Sequence, residues 1–499
     1  MSSRIRLAIG LAIAIVTLPN LARLDGQEQY DRTTLIPAKT LAAIANEVSG
    51  AQALNHVIDI AGYERDRRAS EYGEGLPREA EVVASIAREA GLSAVAILRP
   101  AGEPRLQWDG EEGELWIEEP IASRRLLTRY RDVAATLAPN SLTTEVTANL
   151  VFVGRGDREA DYEGKDVKGK IVLGWGSLGA IHGLAVTRYG AAGAISYGVS
   201  SGKPIDRPDQ IAWGSIGTFP PDGEKTGLSR ASWFGFNLSH RMGLQLVDLL
   251  DKGTVRLRAK VRASQYPVQL PTVTATIPGD GSLAATGKDE VVFVAHLFEG
   301  ATKQGANDNT SGVAVQLEIA RAWIALVRSG ALPAPRRTIR FLWVPEISGT
   351  MAYLREHREE ALRMLAAINM DMVGANQTLH RNSANLAYTP FSLPSFVNDV
   401  GAQFVEWVGD TNREKVHNRR IAYAFQNPMT DPRGSQDPFR FSVEKFYGAT
   451  DNQPFVDYNP RIPTISFDNW PDIAYHTSAD SPPGLDATQM TRMASIALR

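Results

Sequence analysis

Two histidines and three carboxylates in the second half of this chain stand where a metal centre could form. His296 follows the apolar run 291–295, Glu346 follows 339–344, Asp371 follows 366–370, and His476 comes a short loop after 462–467. Asp308 lies in Gly305-Ala306-Asn307-Asp308-Asn309-Thr310-Ser311-Gly312, directly before a long amphipathic pattern. In open α/β sheets, residues just past the carboxyl ends of several strands converge on one site. Imidazoles and carboxylates without thiols suit Zn²⁺, Mn²⁺ or Co²⁺. Singly, each residue has a plain structural reading, and Asp308 would serve as a helix N-cap. Four of them beyond strand ends and one at the start of a helix point together to a metal centre instead. The chain has no cysteine, which excludes disulfides, thiol nucleophiles and iron–sulfur clusters. Any metal must therefore draw on the 8 His and the carboxylates.

Other motifs carry less. Gly174-Trp175-Gly176-Ser177-Leu178-Gly179 fits a dinucleotide fingerprint, but no acidic residue follows the next strand-like run, so the glycines read as turn and packing residues. Gly198-Val199-Ser200-Ser201-Gly202 fits a nucleophile elbow, yet Pro204 and Pro208 forbid the helix that an elbow needs. His357-Arg358-Glu359-Glu360 lacks the second histidine of a zinc helix and reads as a solvated helix face. His56, His182, His240, His380 and His417 have no ligand at metal spacing and read as structural or surface residues.

The elements that must position the site follow from periodicity. Residues 310–330 form a helical pattern with Val313, Leu317, Ala320, Ile324 and Val327 on one face, stopped by Gly330 and Pro333. Runs at 290–295, 338–344, 365–370 and 462–467 read as strands, with a helix at 349–362 between two of them. Strands alternating with helices predict an α/β fold: a mixed, largely parallel central sheet flanked by helices. Nearer the N-terminus, helical patterns at 51–63 and 78–90 precede short strand-like runs at 94–98, 106–108 and 114–117, which suggest the edge of a larger sheet. From about 141 to 264 the texture changes to short strands, glycine-rich turns and Pro/Gly loops, a segment of domain size. The division expected is residues 1–26 as a signal peptide, 31–140 and 266–499 as two parts of one unit, and 141–265 as a smaller β-rich insert.

Arg4 and Arg6 precede the apolar run 7–18 and Pro19. A basic start, a dozen apolar residues and a break is the build of a secretory signal, too short for a spanning helix. A secreted or periplasmic protein is expected, with no membrane contact beyond that segment. With Lys+Arg 53 against Asp+Glu 56, the net charge is −3, so no electrostatic case exists for nucleic acid. Hydrophobic residues at 43% and charged residues at 22% exclude disorder as a whole-chain description. Oligomeric state is not readable.

The stretch from His296-Leu297-Phe298 to Gly305–Gly312 resembles the zinc-binding core of the family-28 metallopeptidases, the aminopeptidases and glutamate-carboxypeptidase-like enzymes. Asn369-Met370-Asp371-Met372-Val373-Gly374 and Tyr475-His476-Thr477-Ser478-Ala479-Asp480 look like that family's later ligand segments, in the same order. The insert resembles a protease-associated domain through Gly169–Leu173 and Gly190–Ile195. The resemblance implies an exported zinc exopeptidase acting on peptides, an aminopeptidase first, with two zinc ions or one. Asp308 would bridge both metals, His296 and Asp371 would complete one, and Glu346 and His476 the other. Two features depart from the family's pattern. Its Glu–Glu pair is Pro345-Glu346 here, and Phe298 stands where an Asp usually orients the first histidine. Either Glu346 is a ligand and the base comes from elsewhere, Glu299 being nearest, or Glu346 is the base and one metal is weakly held. A single-zinc acyltransferase of the glutaminyl-cyclase kind and a non-catalytic binding protein are the alternatives. Trp470, Tyr447 and Phe455 lie near the late ligand segments and could line a side-chain pocket, or simply fill the core.

Overall fold

The structure, a computed structural model, describes residues 36–61, 76–102, 105–200, 204–298, 300–417 and 439–498. The signal segment expected at 1–26 and the candidate base Glu299 lie outside the described residues.

The larger sheet has eight strands: β1 (Ser93–Leu98), β2 (Thr272–Ile277), β3 (Glu290–Phe298), β4 (Thr338–Pro345), β5 (Met364–Met370), β6 (Ser383–Ala387), β7 (Phe441–Glu444) and β8 (Thr464–Trp470). Their order is β1-β2-β4-β3-β5-β8-β6-β7. The central β4-β3-β5-β8 are mutually parallel, while β2 and β6 run antiparallel to their neighbours in that set. The mixed, largely parallel sheet expected from the sequence is therefore present.

A parallel strand covered on both sides must be apolar on both faces, and β3 is. Phe293 and Ala295 pack into a core with Val313, Leu317 and Ala320 of helix Gly312–Arg328 and with Val57 and Ile60 of helix Gly50–Ala61. Val292 and Val294 pack on the other side, with Tyr353, Leu354 and Phe455. The helical stretch Ala306–Arg328 contains an 18-residue window apolar enough by composition to span a bilayer, but 72% of that window is buried inside the fold. It is a core helix.

Register fixes the site. His296 of β3 pairs with Val344 of β4, two residues before Glu346. Val294 pairs with Asn369 of β5, two residues before Asp371. His296, Glu346 and Asp371 are thereby brought to one edge, at the carboxyl ends of three adjacent strands.

A second sheet of seven strands runs, in spatial order, through Arg125–Arg129, Arg105–Glu119, Arg256–Val268, Thr144–Phe152, Ile171–Gly174, Gly193–Ser196 and Gly235–Asn237. It begins well before residue 141. The runs 106–108 and 114–117 are two ends of one strand, and they pair with Arg256–Val268 along almost its whole length. Gly110 and Gly113 interrupt the alternation between them, which is why a single strand reads as two.

A strap from this second unit crosses to the first. Ile211 and Ser478 exchange hydrogen bonds, Ala212 bridges to Thr477, and the Trp213 N–H donates to the His476 carbonyl at 2.8 Å.

Candidate metal centre

The loop carrying Asp308 enters helix Gly312–Arg328 through a closely stitched turn. Asp480 accepts from the backbone N–H groups of Asn307 (2.6 Å) and Asp308 (3.1 Å). Asn307 Oδ1 takes the N–H of Gly374, and Asn309 Oδ1 takes those of Gly312 and Met372. Asn309 Nδ2 donates to the Met370 carbonyl at 2.9 Å. The asparagines thus tie this loop to the end of β5, fixing Asp308 beside Asp371. Gly312 is required at the seam: a Cβ there would lie 2.2 Å from the Met370 carbonyl oxygen. The recurrent polar and glycine residues of 305–312 are this stitching, not helix capping.

Around Asp308 three candidate ligands gather. His296 Nε2 is 3.2 Å from Asp308 Oδ1 and 3.5 Å from Asp371 Oδ1, and His476 Nε2 is 3.1 Å from Asp308 Oδ2. Ligand atoms of His296, Asp308 and Asp371 all lie within 4.8 Å of one another, and all three residues are buried. Asp371 Oδ1 is buried with no hydrogen-bond partner, while its Oδ2 accepts from Thr450 Oγ1 at 2.5 Å. One carboxylate oxygen oriented by a hydroxyl and the other left open toward an imidazole is how a metal ligand is prepared. The donor set fits a borderline-soft dication.

Charge balance favours the same reading. Burial would push the Asp308 carboxyl up, but the Lys303 ammonium and the His296 and His476 imidazoles outweigh it and hold the group well below the usual carboxylate range. Glu346 is different: burial, opposed by His296 and reinforced by Asp371, Asp451 and Asp308, pushes it up to about 7. Its residue nevertheless stays open to solvent. A carboxyl hemmed in by other acids yet reachable by water belongs to a concave site.

Asp451 holds the Glu346 corner. It is fully buried and accepts from the Ile347 N–H (2.8 Å) and Thr350 Oγ1 (2.6 Å). Ile347 has φ 53°, unfavourable for a β-branched residue and tolerable only where the surroundings enforce it. Asp451 thus buttresses the backbone next to Glu346.

The three late aromatics divide. Phe455 is completely buried and is core; Tyr447 and Trp470 are partly exposed. Tyr447 donates its hydroxyl to Asp468. Trp470 meets the ring of Tyr475 edge-on, and Tyr475 stacks on His476 at 3.7 Å. His380, read as structural or surface, is buried with Nδ1 2.9 Å from Asp472 Oδ1, and Asp472 also accepts from Asn307 Nδ2 at 3.0 Å. It supports the Asp308 loop from behind. Lys303 and Trp213 were not singled out in the sequence. Lys303 Nζ is 3.4 Å from Asp308 Oδ2, and Trp213 stands edge-on to His476 with ring centres 5.6 Å apart.

The family model for Peptidase family M28 matches residues 272–499. A probable leucine aminopeptidase of Arthroderma otae is 27% identical over 156 residues, 30% of this chain and 39% of that protein. The chain therefore spans well under half the length of the curated relative it matches. Among solved structures, the Peptidase M28 precursor of Shewanella amazonensis superposes with TM-score 0.62 at 16% identity, covering 92% of this chain and 95% of that one. A zinc aminopeptidase of Bacillus subtilis gives TM-score 0.55 at 18% identity, over 90% and 94%. The aminopeptidase of Aneurinibacillus sp. strain AM-1 gives 0.51 at 20%, over 92% and 94%. At these identities the three structures speak to the fold.

Proposed function

We propose that this chain is a zinc exopeptidase of peptidase family M28, whose model matches residues 272–499, and an aminopeptidase that hydrolyses the first bond of a peptide. The observation that carries this is the buried trio His296, Asp308 and Asp371, with their ligand atoms within 4.8 Å of one another. These three would hold the ion. A zinc ion there supplies Lewis acidity toward a peptide carbonyl and toward water.

The remaining steps fall to the chain's own groups. Glu346, solvent-accessible and pinned through Ile347 and Asp451, would take the proton from the attacking water and return it to the departing amine. Thr450 keeps Asp371 turned toward His296, and Asp480 keeps the Asp308 backbone in place. His476 and Glu346 are the residues that a second ion would use with Asp308. Glu299 is the other candidate base. Export rests on Arg4, Arg6 and the apolar run 7–18 and belongs to the same proposal.

The test is metal analysis of purified protein together with release of amino acids from short peptides. Zinc bound at or above one ion per chain, and release that stops with a chelator and resumes with zinc, is the expected result. N-acetylated peptides should resist hydrolysis, whereas C-terminally amidated ones should not. A protein that binds no zinc and releases nothing from any peptide is not this enzyme. Cyclisation of an N-terminal glutamine in place of hydrolysis would assign it to acyl transfer.

A further inference from the structure

The two halves of the site are not equivalent. On one side of Asp308, Oδ1 faces His296 with Asp371 close by, making a three-ligand set. On the other side, Oδ2 faces His476 at 3.1 Å and the Lys303 ammonium at 3.4 Å. Among the described residues no second trio of ligand atoms gathers on that side. Lys303 is only 8% exposed, and its ammonium lies 5.2 Å from the ring centre of Trp213. Trp213 is itself anchored, donating Nε1–H to the Ala301 carbonyl at 3.0 Å and its backbone N–H to the His476 carbonyl at 2.8 Å. The ammonium is thus enclosed between a carboxylate and an aromatic face, a site built for a fixed monovalent cation.

We propose that this chain takes one divalent ion, held by His296, Asp308 and Asp371, and that the Lys303 ammonium occupies the place of the second. A dication bound about 2.1 Å from Asp308 Oδ2 would lie within about 5.5 Å of the Lys303 nitrogen, given the 3.4 Å between that nitrogen and Oδ2. In a buried setting a dication and an ammonium so close repel strongly, so the two compete for one oxygen. Lys303 already neutralises that oxygen and needs no third ligand. His476 then acts as a hydrogen-bond partner of Asp308 and not as a metal ligand. Trp213, which belongs to the strap from the second sheet, is a positioning residue: it closes the ammonium against water. The inference rests on the peptidase reading for the existence of the first ion.

The experiment measures zinc stoichiometry by equilibrium dialysis of the full chain followed by elemental analysis, with no reference to turnover. The wild type should bind one ion. Lys303→Met, which keeps the aliphatic stem and removes the charge, should bind two, and Lys303→Arg should return to one. His476→Ala should keep one ion with affinity within about 3-fold of wild type, whereas His296→Ala should lose it by 100-fold or more. The His476 comparison stands even if the Lys303 variants fail to fold. Two ions in the wild type, or one in a folded Lys303→Met, or loss of an ion in His476→Ala, would each overturn the proposal and leave the peptidase reading intact. No ion in the wild type would overturn the peptidase reading itself.

Discussion

The two sheets bury similar apolar side chains but treat charge in opposite ways. At the carboxyl ends of β4-β3-β5-β8, Asp308, Asp371, Asp451, Asp472 and Asp480 are all buried together with His296 and His380. The seven-stranded sheet turns most of its charges outward, Asp109 being a buried exception. Arg258 pairs with Glu118, Lys260 with Glu112 and Arg262 with Glu111 across partly exposed strand faces. Burying a carboxylate costs several kcal/mol unless it is compensated, and outward pairs cost almost nothing and yield almost nothing. A cluster of buried acids is therefore a sign of chemistry, and the second sheet bears none of comparable size among its described residues. Its contribution to the site is mechanical, a strap ending in Trp213.

Breaking the contrast at its strongest point means neutralising the acid that both halves of the site share. Asp308→Asn should lower kcat/KM by about 10³-fold or more and abolish tight zinc binding. Steady-state kinetics with metal analysis checks this, and a loss under about tenfold would show that the buried acids are structural.

The second sheet has its own buried ionisable group, His182, which burial alone depresses to about 4. Its ring lies edge-on to Trp233 with centres 4.6 Å apart. Unfolded, it would titrate near the ordinary histidine value of 6.5. The unfolded chain therefore gains a proton first as pH falls. Stability is fully present above about pH 6.5 and declines toward pH 4 by up to roughly 3 kcal/mol. His182→Leu should flatten that part of the profile in denaturant titrations at pH 7 and pH 4.5, without changing peptide hydrolysis at neutral pH. An unchanged slope would mean that the imidazole is not paying a burial cost.

Trp213→Ala tests the mechanical link. Loss of the aromatic wall should reduce kcat/KM by about tenfold while the circular dichroism spectrum is retained, since the strap's backbone bonds to residues 476–478 remain. A variant indistinguishable from wild type would separate the second sheet from function altogether. The smallest effect is expected at Arg241 and Asp209, an exposed pair at 2.6 Å beside the same strap. Arg241→Ala should leave the thermal midpoint within about 1 °C of wild type, because the strap is held by its backbone pairing.

How legible all this was in the sequence depended on whether the relevant spacing was local. His296, Asp308 and Asp371 could be found because each directly follows a strand or precedes a helix whose periodicity is plain. The largely parallel sheet was readable for the same reason. Trp213 was not, since it sits in a Pro/Gly-rich stretch without periodicity, 263 residues from the His476 it touches. Lys303 was passed over because a lysine in a loop reads as solvated, and only the fold shows it to be buried. His380 has its partner Asp472 92 residues away, a separation that no local pattern reveals. Asp451 acts through the backbone of Ile347, 104 residues away, and no local pattern links the two. The strand 105–119 was split in reading by two glycines that the sheet simply absorbs.

One contact sets a timetable for making the protein. The N–H of Gly50 donates to Thr491 Oγ1 across 441 residues, and the approach is so close that a Cβ on Gly50 would lie 1.7 Å from the Ala487 carbonyl oxygen. The helix that begins at Gly50 also lends the Ala61 carbonyl to Gln304, just ahead of the Asp308 loop. At about 5–20 residues per second, roughly 20–90 s pass on the ribosome before Thr491 follows Gly50. Once Val268 is made, the seven-stranded sheet has all its strands, while the helix beneath the Asp308 loop still waits for its neighbour. The cluster around Asp308 is therefore completed only when the last of its partners, His476 and Asp480, have been made.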